Sequence, residues 1–376
     1  MILLLAALFG LFLSYANGAN DNFKGVATLY GSATTSYRLA LIWATTMQIL
    51  GSITALVLAQ GLLATFSGKG LLPDSVVGMQ SFALAVGLAA ACTVMLATKL
   101  GFPISTTHAL TGALVGAGLL ASGQGVAFTK LGSNFFMPLL VSPVLAIVLA
   151  TVVYLFARRL RAHFGVEKEM CICVGTEVMQ SLPLGADPCA AVAAFNSTRI
   201  PTLTIESRAV CVEKYKGNFL GVRAGAVLDF AHYFSGGTVC FARALNDTPK
   251  IAATLLVGNA IAPSFAISAV AVAMATGGYL NSKKIAETVA HKVTTMNAGQ
   301  GFSANLVTSF LVIFASKLGL PVSTTHVSVG ALFGIGTITR QAKWKTIISI
   351  LLAWVITLPM AALFGASFFL LLKRFL

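Results

Sequence analysis

The sequence predicts an all-α polytopic membrane protein: two inverted-topology repeats of about five spans each, with broken or re-entrant helices and a small central soluble insert of β content. Three observations predict it. Hydrophobic residues fill 57% of the 376 positions and charged residues 10%, and the mean hydropathy of +0.88 lies outside the range of a water-soluble domain. Apolar stretches of about 20 residues, the length that crosses a bilayer, recur along nearly the whole chain. Two sequence blocks each occur twice, in the same order.

The elements follow in chain order. Met1–Ala16 is apolar, lacks a basic start and a small-residue cleavage site, and runs into the polar cluster Asn17–Asn22, so it reads as a retained first span. Spans are expected near 1–17, 38–62, 76–98, 104–123 and 135–157, mirrored by 224–242, 252–278, 300–316, 322–338 and 346–372. Residues 1–160 form the first repeat, 161–222 the insert and 223–376 the second repeat. An odd number of spans per repeat turns the second upside down relative to the first. Polar residues near Asp21 and Asp247 mark the breaks.

The insert changes character. Arg158, Arg159, Arg161, Lys168, Arg199, Arg208, Lys214, Lys216 and Arg223 sit among alternating stretches such as Thr202–Glu206 and Ala209–Glu213. The Arg158–Arg161 cluster directly follows a span, and Lys283, Lys284, Arg340, Lys343 and Lys345 share its side. The positive-inside rule therefore sets the insert in the cytoplasm of a multi-pass plasma (inner) membrane protein, although Lys373 and Arg374 point the other way. The net charge of +14 comes without a basic stripe interleaved with exposed aromatics, so nucleic acid is not a partner; membrane lipid is. Of the cysteines Cys92, Cys171, Cys173, Cys189, Cys211 and Cys240, the middle four share the insert without histidines at zinc spacing, which predicts reduced thiols and no metal cofactor there.

The repeated blocks carry the chemistry. Asn20-Asp21-Asn22-Phe23-Lys24-Gly25-Val26-Ala27-Thr28-Leu29 answers to Asn246-Asp247-Thr248-Pro249-Lys250-Ile251-Ala252-Ala253-Thr254-Leu255. Lys99-Leu100-Gly101-Phe102-Pro103-Ile104-Ser105-Thr106-Thr107-His108 answers to Lys317-Leu318-Gly319-Leu320-Pro321-Val322-Ser323-Thr324-Thr325-His326, and Gly-Ala-Leu follows in both. An ionised side chain within a span costs a few kcal/mol, so Asp21 and Asp247 demand a partner, a cavity or a function. Asn20 with Asp21, and Asn246 with Asp247, suit a small hard cation or a proton relay, with the two carboxylates as candidate ligands for Na⁺; helix capping is the plain alternative.

Pro103 and Pro321 are expected to end the preceding helices, and Ser105-Thr106-Thr107 and Ser323-Thr324-Thr325 to open new ones. Such helix starts attract anions through free N–H groups, the helix dipole and hydroxyl donors. Gly112, Gly116 and Gly118, with Gly330, Gly334 and Gly336, predict close helix packing. His108 and His326 either address the substrate or satisfy structure, and structure is favoured. Two such helix starts beside two carboxylates describe an oxyanion symporter coupled to Na⁺ or H⁺.

These residues resemble the inorganic phosphate transporter family, often called PiT, whose Gly-Ala-Asn-Asp signature is matched by Gly18-Ala19-Asn20-Asp21 and less completely by Ala244-Leu245-Asn246-Asp247. The resemblance implies phosphate uptake by cation symport with alternating access, in a fold often found as a homodimer, with Asn20, Asp21, Asn246, Asp247 and the two Ser-Thr-Thr triplets lining the site. Where the family pattern has Asn three residues after the Asp, this chain has Lys24 and Lys250. With Arg243 nearby, these ammonium groups either pair with the carboxylates in place of Na⁺, contact the anion, or snorkel to the membrane faces. Sulfate or another tetrahedral oxyanion is the alternative cargo. A membrane phosphoesterase fits poorly, because no carboxylate cluster, metal pattern or phosphate loop accompanies the histidines. A redox-sensing insert has only Cys171-Ile172-Cys173 in its favour.

Overall fold

The computed structural model describes residues 2–66, 71–122, 126–181, 196–215, 218–256 and 262–375. Cys189 and Lys216 lie outside the described residues. The chain divides into one unit of residues 1–155 with 232–376, and a second of residues 156–231.

The first unit is helical. Its longer helices are α1 (Ile2–Asp21), α2 (Tyr37–Leu58), α3 (Gln80–Leu100), α4 (Thr106–Ala121), α5 (Met137–His163), α7 (Ala224–Leu255), α8 (Pro263–Asn281), α9 (Ala298–Lys317), α10 (Thr324–Ile338) and α11 (Trp344–Leu372), with α5 and α7 continuing into the second unit. Six described helices are long and apolar enough to cross a membrane: α2, α3, the stretch Phe128–His163 that contains α5, α8, α9 and α11. The chain is a multi-pass membrane protein. Large apolar side chains such as Leu140, Val144, Leu351 and Val355 stand exposed on the outer faces, where hydrocarbon solvates them as water does not.

Four expectations change. The Ser-Thr-Thr-His helices α4 and α10 have 16 and 15 residues, and at 1.5 Å per residue they fall short of a full span. The helices before them are ended by glycine and not by proline. Gly101 and Gly319 take the left-handed conformation, at φ of 81° and 69°, and stop α3 and α9 before Pro103 and Pro321 are reached.

The two Asn-Asp copies also differ. α1 ends at Asp21 in a run of turns, while α7 continues through Asn246, Asp247 and Pro249 to Leu255, merging the expected 224–242 span with the start of the 252–278 one. Gly25 explains part of this: a Cβ there would meet Cys240 Sγ at 2.5 Å, so the turn runs tight against α7, whereas Ile251 holds the equivalent place within a helix. Continuity is possible because the polar residues of α7 find partners inside the protein. Finally, Asn20 and Asp21 sit at a helix end and not at a start, so they are not N-caps.

The repeat-equivalent helices exchange neighbours. Gly112 and Gly116 of α4 face the carbonyls of Leu358 and Ala362 on α11, whereas Gly330 and Gly334 of α10 face Pro143 O and Ile147 O on α5, at 3.0 and 2.6 Å from the positions their Cβ atoms would occupy. Helix 4 of one half therefore lies on the last helix of the other.

The second unit carries a three-stranded antiparallel sheet in the order β2-β1-β3, from β1 (Met170–Ser181), β2 (Asn196–Ser207) and β3 (Phe219–Arg223), with the short helix α6 (Arg208–Lys214) on one face. Along β1 the period-two alternation buries Cys171 and Cys173 and exposes Ile172 and Val174. Cys211 and Tyr215 complete this small core. The expectation of reduced thiols is corrected here: Cys173 and Cys211 form a disulfide. Strand pairing and the α6 cover bring together residues 38 apart in sequence, a proximity that spacing alone does not reveal.

Candidate functional site

The site forms where the end of α1 and the middle of α7 meet the starts of α4 and α10. α1 and its following turn supply Asn17, Asn20, Asp21, Asn22 and Lys24; α7 supplies Arg243, Asn246, Asp247 and Lys250. All are buried. Burying this many charges is tolerable only if each is paired or bonded.

The helix starts are built as expected. Ser105 accepts from His108 N at 3.2 Å and Ser323 from His326 N at 3.1 Å, both as N-caps. The threonines bind these segments together, Thr106 within its own half and Thr107 and Thr325 across the two halves. Thr106 Oγ1 donates to Asp21 Oδ2 at 3.1 Å, Thr107 Oγ1 donates to Val322 O at 3.2 Å, and Thr325 Oγ1 donates to Ile104 O at 2.8 Å. Thr324 is buried at the first position of α10.

The asparagines beside the aspartates hold the lead-in segments. Asn20 donates to Thr98 Oγ1 at 2.8 Å and accepts from Ile104 N at 3.1 Å. Its counterpart Asn246 donates to Val322 O at 3.1 Å and accepts from Ser316 Oγ at 3.3 Å.

Lys24 and Lys250 do not snorkel. They are 4% and 1% exposed, and their ammonium groups turn inward. Lys24 Nζ donates to Asn20 Oδ1 at 2.8 Å, Ile104 O at 2.8 Å and Thr325 Oγ1 at 2.7 Å, and pairs with Asp21. Lys250 Nζ donates to Thr107 Oγ1 at 2.8 Å and Val322 O at 2.9 Å, and pairs with Asp247 Oδ1 at 3.5 Å. Each lysine thus reaches its own half's carbonyl and the other half's threonine.

Asn17, which was not singled out as a site residue from the sequence, and Arg243, which was named there as a nearby cation, both join the cluster. Asn17 Nδ2 lies 2.9 Å from Asp21 Oδ2, 2.9 Å from Thr106 Oγ1 and 3.4 Å from Asp247 Oδ2, so it bridges the carboxylates. Arg243 donates to Asn17 Oδ1 at 3.0 Å and Asn22 Oδ1 at 3.4 Å, and its Nε has no hydrogen-bond partner. The fixed offset between the Asn-Asp blocks sets Asn17 opposite Arg243, a signal that pointed to both. The histidines are used for packing: the rings of His108 and His326 lie 4.4 Å apart, and His326 stacks on Trp354 at 3.7 Å. An open cavity of about 840 Å³ reaches α7 at Pro249, Ala253 and Thr254, next to Lys250.

The model of the phosphate transporter family matches residues 17–365. A chain named as a phosphate permease in Mycobacterium bovis is 25% identical, over 97% of this chain and 86% of its own length. One so named in Thermococcus kodakarensis is 27% identical, over 98% and 97%. The chloroplastic inorganic phosphate transporter 2-1 of Arabidopsis thaliana is 26% identical, over 94% and 69%. Among solved structures, a sodium-dependent phosphate transporter shares the fold at a TM-score of 0.76 and 22% identity, covering 100% of both chains.

Proposed function

The chain belongs to the phosphate transporter family, and on that premise we propose that it moves inorganic phosphate across the plasma membrane by cation symport, driven by Na⁺ or H⁺, with alternating access. The observation that carries the reading is Arg243: a guanidinium 2% exposed, with a free Nε donor, bonded to Asn17, whose amide bridges Asp21, Asp247 and Thr106 at the start of α4. A planar cation with a donor to spare is a natural seat for a tetrahedral oxyanion.

Within this reading Asn20, Asp21, Ser105, Thr106, Thr107, Asn246, Asp247, Ser323, Thr324 and Thr325 line or support the site. Hydrogen phosphate can donate to a carboxylate and sulfate cannot, so Asp21 and Asp247 beside Arg243 favour phosphate. The two halves, 1–160 and 223–376, work as inverted repeats. The crossed bonds of Lys24 to Thr325 and of Lys250 to Thr107 support this, since a pseudo-twofold axis exchanges them. The cavity at Pro249 is one approach to the site. By the family resemblance the protein acts as a homodimer. The insert, residues 161–222, faces the cytoplasm beside the Arg158–Arg161 cluster, and full burial of Cys173 and Cys211 shields their disulfide from the reducing pool.

Purified protein in liposomes, given radiolabelled phosphate with imposed Na⁺ and H⁺ gradients and excess sulfate, tests this. Gradient-driven uptake that resists sulfate is expected. Sulfate transport without phosphate transport would keep the fold and overturn the cargo.

A further inference from the structure

We propose that Lys24 and Lys250 are built-in coupling-site cations: their ammonium groups fill two oxygen cages of the kind a small metal ion would occupy, so this chain binds and moves its anion without Na⁺. The inference rests on the transport reading above and specifies its partner ion.

Each cage is chemically that of a hard cation. Around Lys24 Nζ stand one carboxylate, one amide oxygen, one backbone carbonyl and one hydroxyl: Asp21, Asn20, Ile104 and Thr325. Around Lys250 Nζ stand a carboxylate, a carbonyl and a hydroxyl: Asp247, Val322 and Thr107. Oxygen donors of these types also coordinate small hard metal ions. An ammonium has three N–H donors, and at Lys24 four oxygens saturate them. A metal ion entering either cage would have to displace the ammonium from these oxygens and then lie against a second positive charge in a buried site. Both steps are unfavourable at low local dielectric.

The charge balance leads the same way. Two buried carboxylates, Asp21 and Asp247, meet three buried cations, Lys24, Lys250 and Arg243. One positive charge is left in excess before any ion binds. An incoming monovalent phosphate anion then neutralises the cluster by itself. A site with the carboxylates and no lysines would be net negative and would need bound cations before it could accept an anion. The duplication removes coincidence as an explanation, because both cages are filled by the same residue type at the same repeat position.

The test uses the full chain in liposomes, with radiolabelled phosphate and an inward H⁺ gradient, comparing external Na⁺ with choline. The initial rate is expected to change by less than about twofold, while a loss of tenfold or more in choline, about 1.4 kcal/mol of coupling, would overturn the inference. Lys24→Asn with Lys250→Asn supplies a second readout in detergent. Na⁺ is expected to leave the melting temperature of the native chain where K⁺ leaves it, and to raise that of the double variant, because only an emptied cage binds the ion. A Na⁺-specific rise in the native chain overturns the inference even if the variant fails to fold. Phosphate uptake that demands Na⁺ sinks this inference and spares the transport reading; no phosphate uptake in any ion sinks both.

Discussion

Arg243 stands where the internal repeat gives its counterpart Asn17, and this substitution makes the site chemically lopsided. Asn17 is a bridge, holding Asp21, Asp247 and Thr106 together through one amide. Arg243 is held by Asn17 and Asn22 through its two terminal nitrogens, leaving Nε unused. Arg243→Gln keeps a donor for Asn17 and removes the charge; phosphate affinity should fall at least tenfold, because a charge-assisted bond to an anion is worth about 1.5–3 kcal/mol. Equilibrium binding of radiolabelled phosphate checks this, and an unchanged Kd would remove Arg243 from the anion site. Asp21→Asn makes a different statement. Lys24 keeps Asn20 Oδ1, Ile104 O and Thr325 Oγ1, three oxygens for its three donors, so the protein should stay folded and monodisperse on size exclusion. Coupled uptake should nevertheless be lost, since the charge that Lys24 balances is gone. Near-normal uptake in this variant would show that the carboxylate only positions the turn.

At the scale of helices, the short α4 and α10 are held by close backbone approach. Gly116 faces the carbonyl of Ala362 and Gly112 that of Leu358, and a methyl at either place forces backbone and not a flexible side chain to move. Gly116→Ala should cost about 1–3 kcal/mol as an overpacked helix contact, lowering the melting temperature of the purified protein. Gly132→Ala, where a Cβ meets nothing within 4 Å, serves as the control and should leave it unchanged. The positions of these helices were legible in the sequence, because Ser-Thr-Thr-His after Pro is a local start signal that the caps at Ser105 and Ser323 satisfy. The stops of the helices before them, α3 and α9, read differently: Gly101 and Gly319, and not the prolines, end them. The unbroken run of α7 through Asp247 was not legible either, since a polar Asn-Asp-Thr-Pro stretch reads as a link until its partners across the protein are known. The disulfide between Cys173 and Cys211 depends in the same way on strand pairing that no spacing rule encodes. The cluster around Asp21 and Asp247 was recognisable by duplication, and Asn17 was overlooked because its equivalent carries a different side chain.

For the molecule as a whole, the insert is expected to be separable from the helical unit. The sheet unit has its own core of Cys171, Cys173, Cys211 and Tyr215, and no residue of the Asp-Lys-Arg cluster comes from it. Its chain path is that of an insertion: Cys171 on β1 pairs with Arg223 on β3 as antiparallel neighbours, so the strand that enters and the strand that leaves run side by side, with paired Cα atoms about 5 Å apart. Domains inserted through such adjacent ends can be removed without stretching the host. Replacing residues 172–222 by an Asn-Gly turn, which joins antiparallel neighbours with the twist they already have, should therefore leave phosphate uptake within about twofold once expression is matched. The same excision removes Cys173 and Cys211 together, so any effect of reductant on uptake that acts through their disulfide should vanish in the shortened chain, which keeps only the thiols Cys92, Cys171 and Cys240. A shortened chain that reaches the membrane, binds phosphate with native affinity and yet fails to transport would instead make the insert part of the moving machinery. That outcome would assign to residues 161–222 a role in the conformational step that the cluster itself does not require.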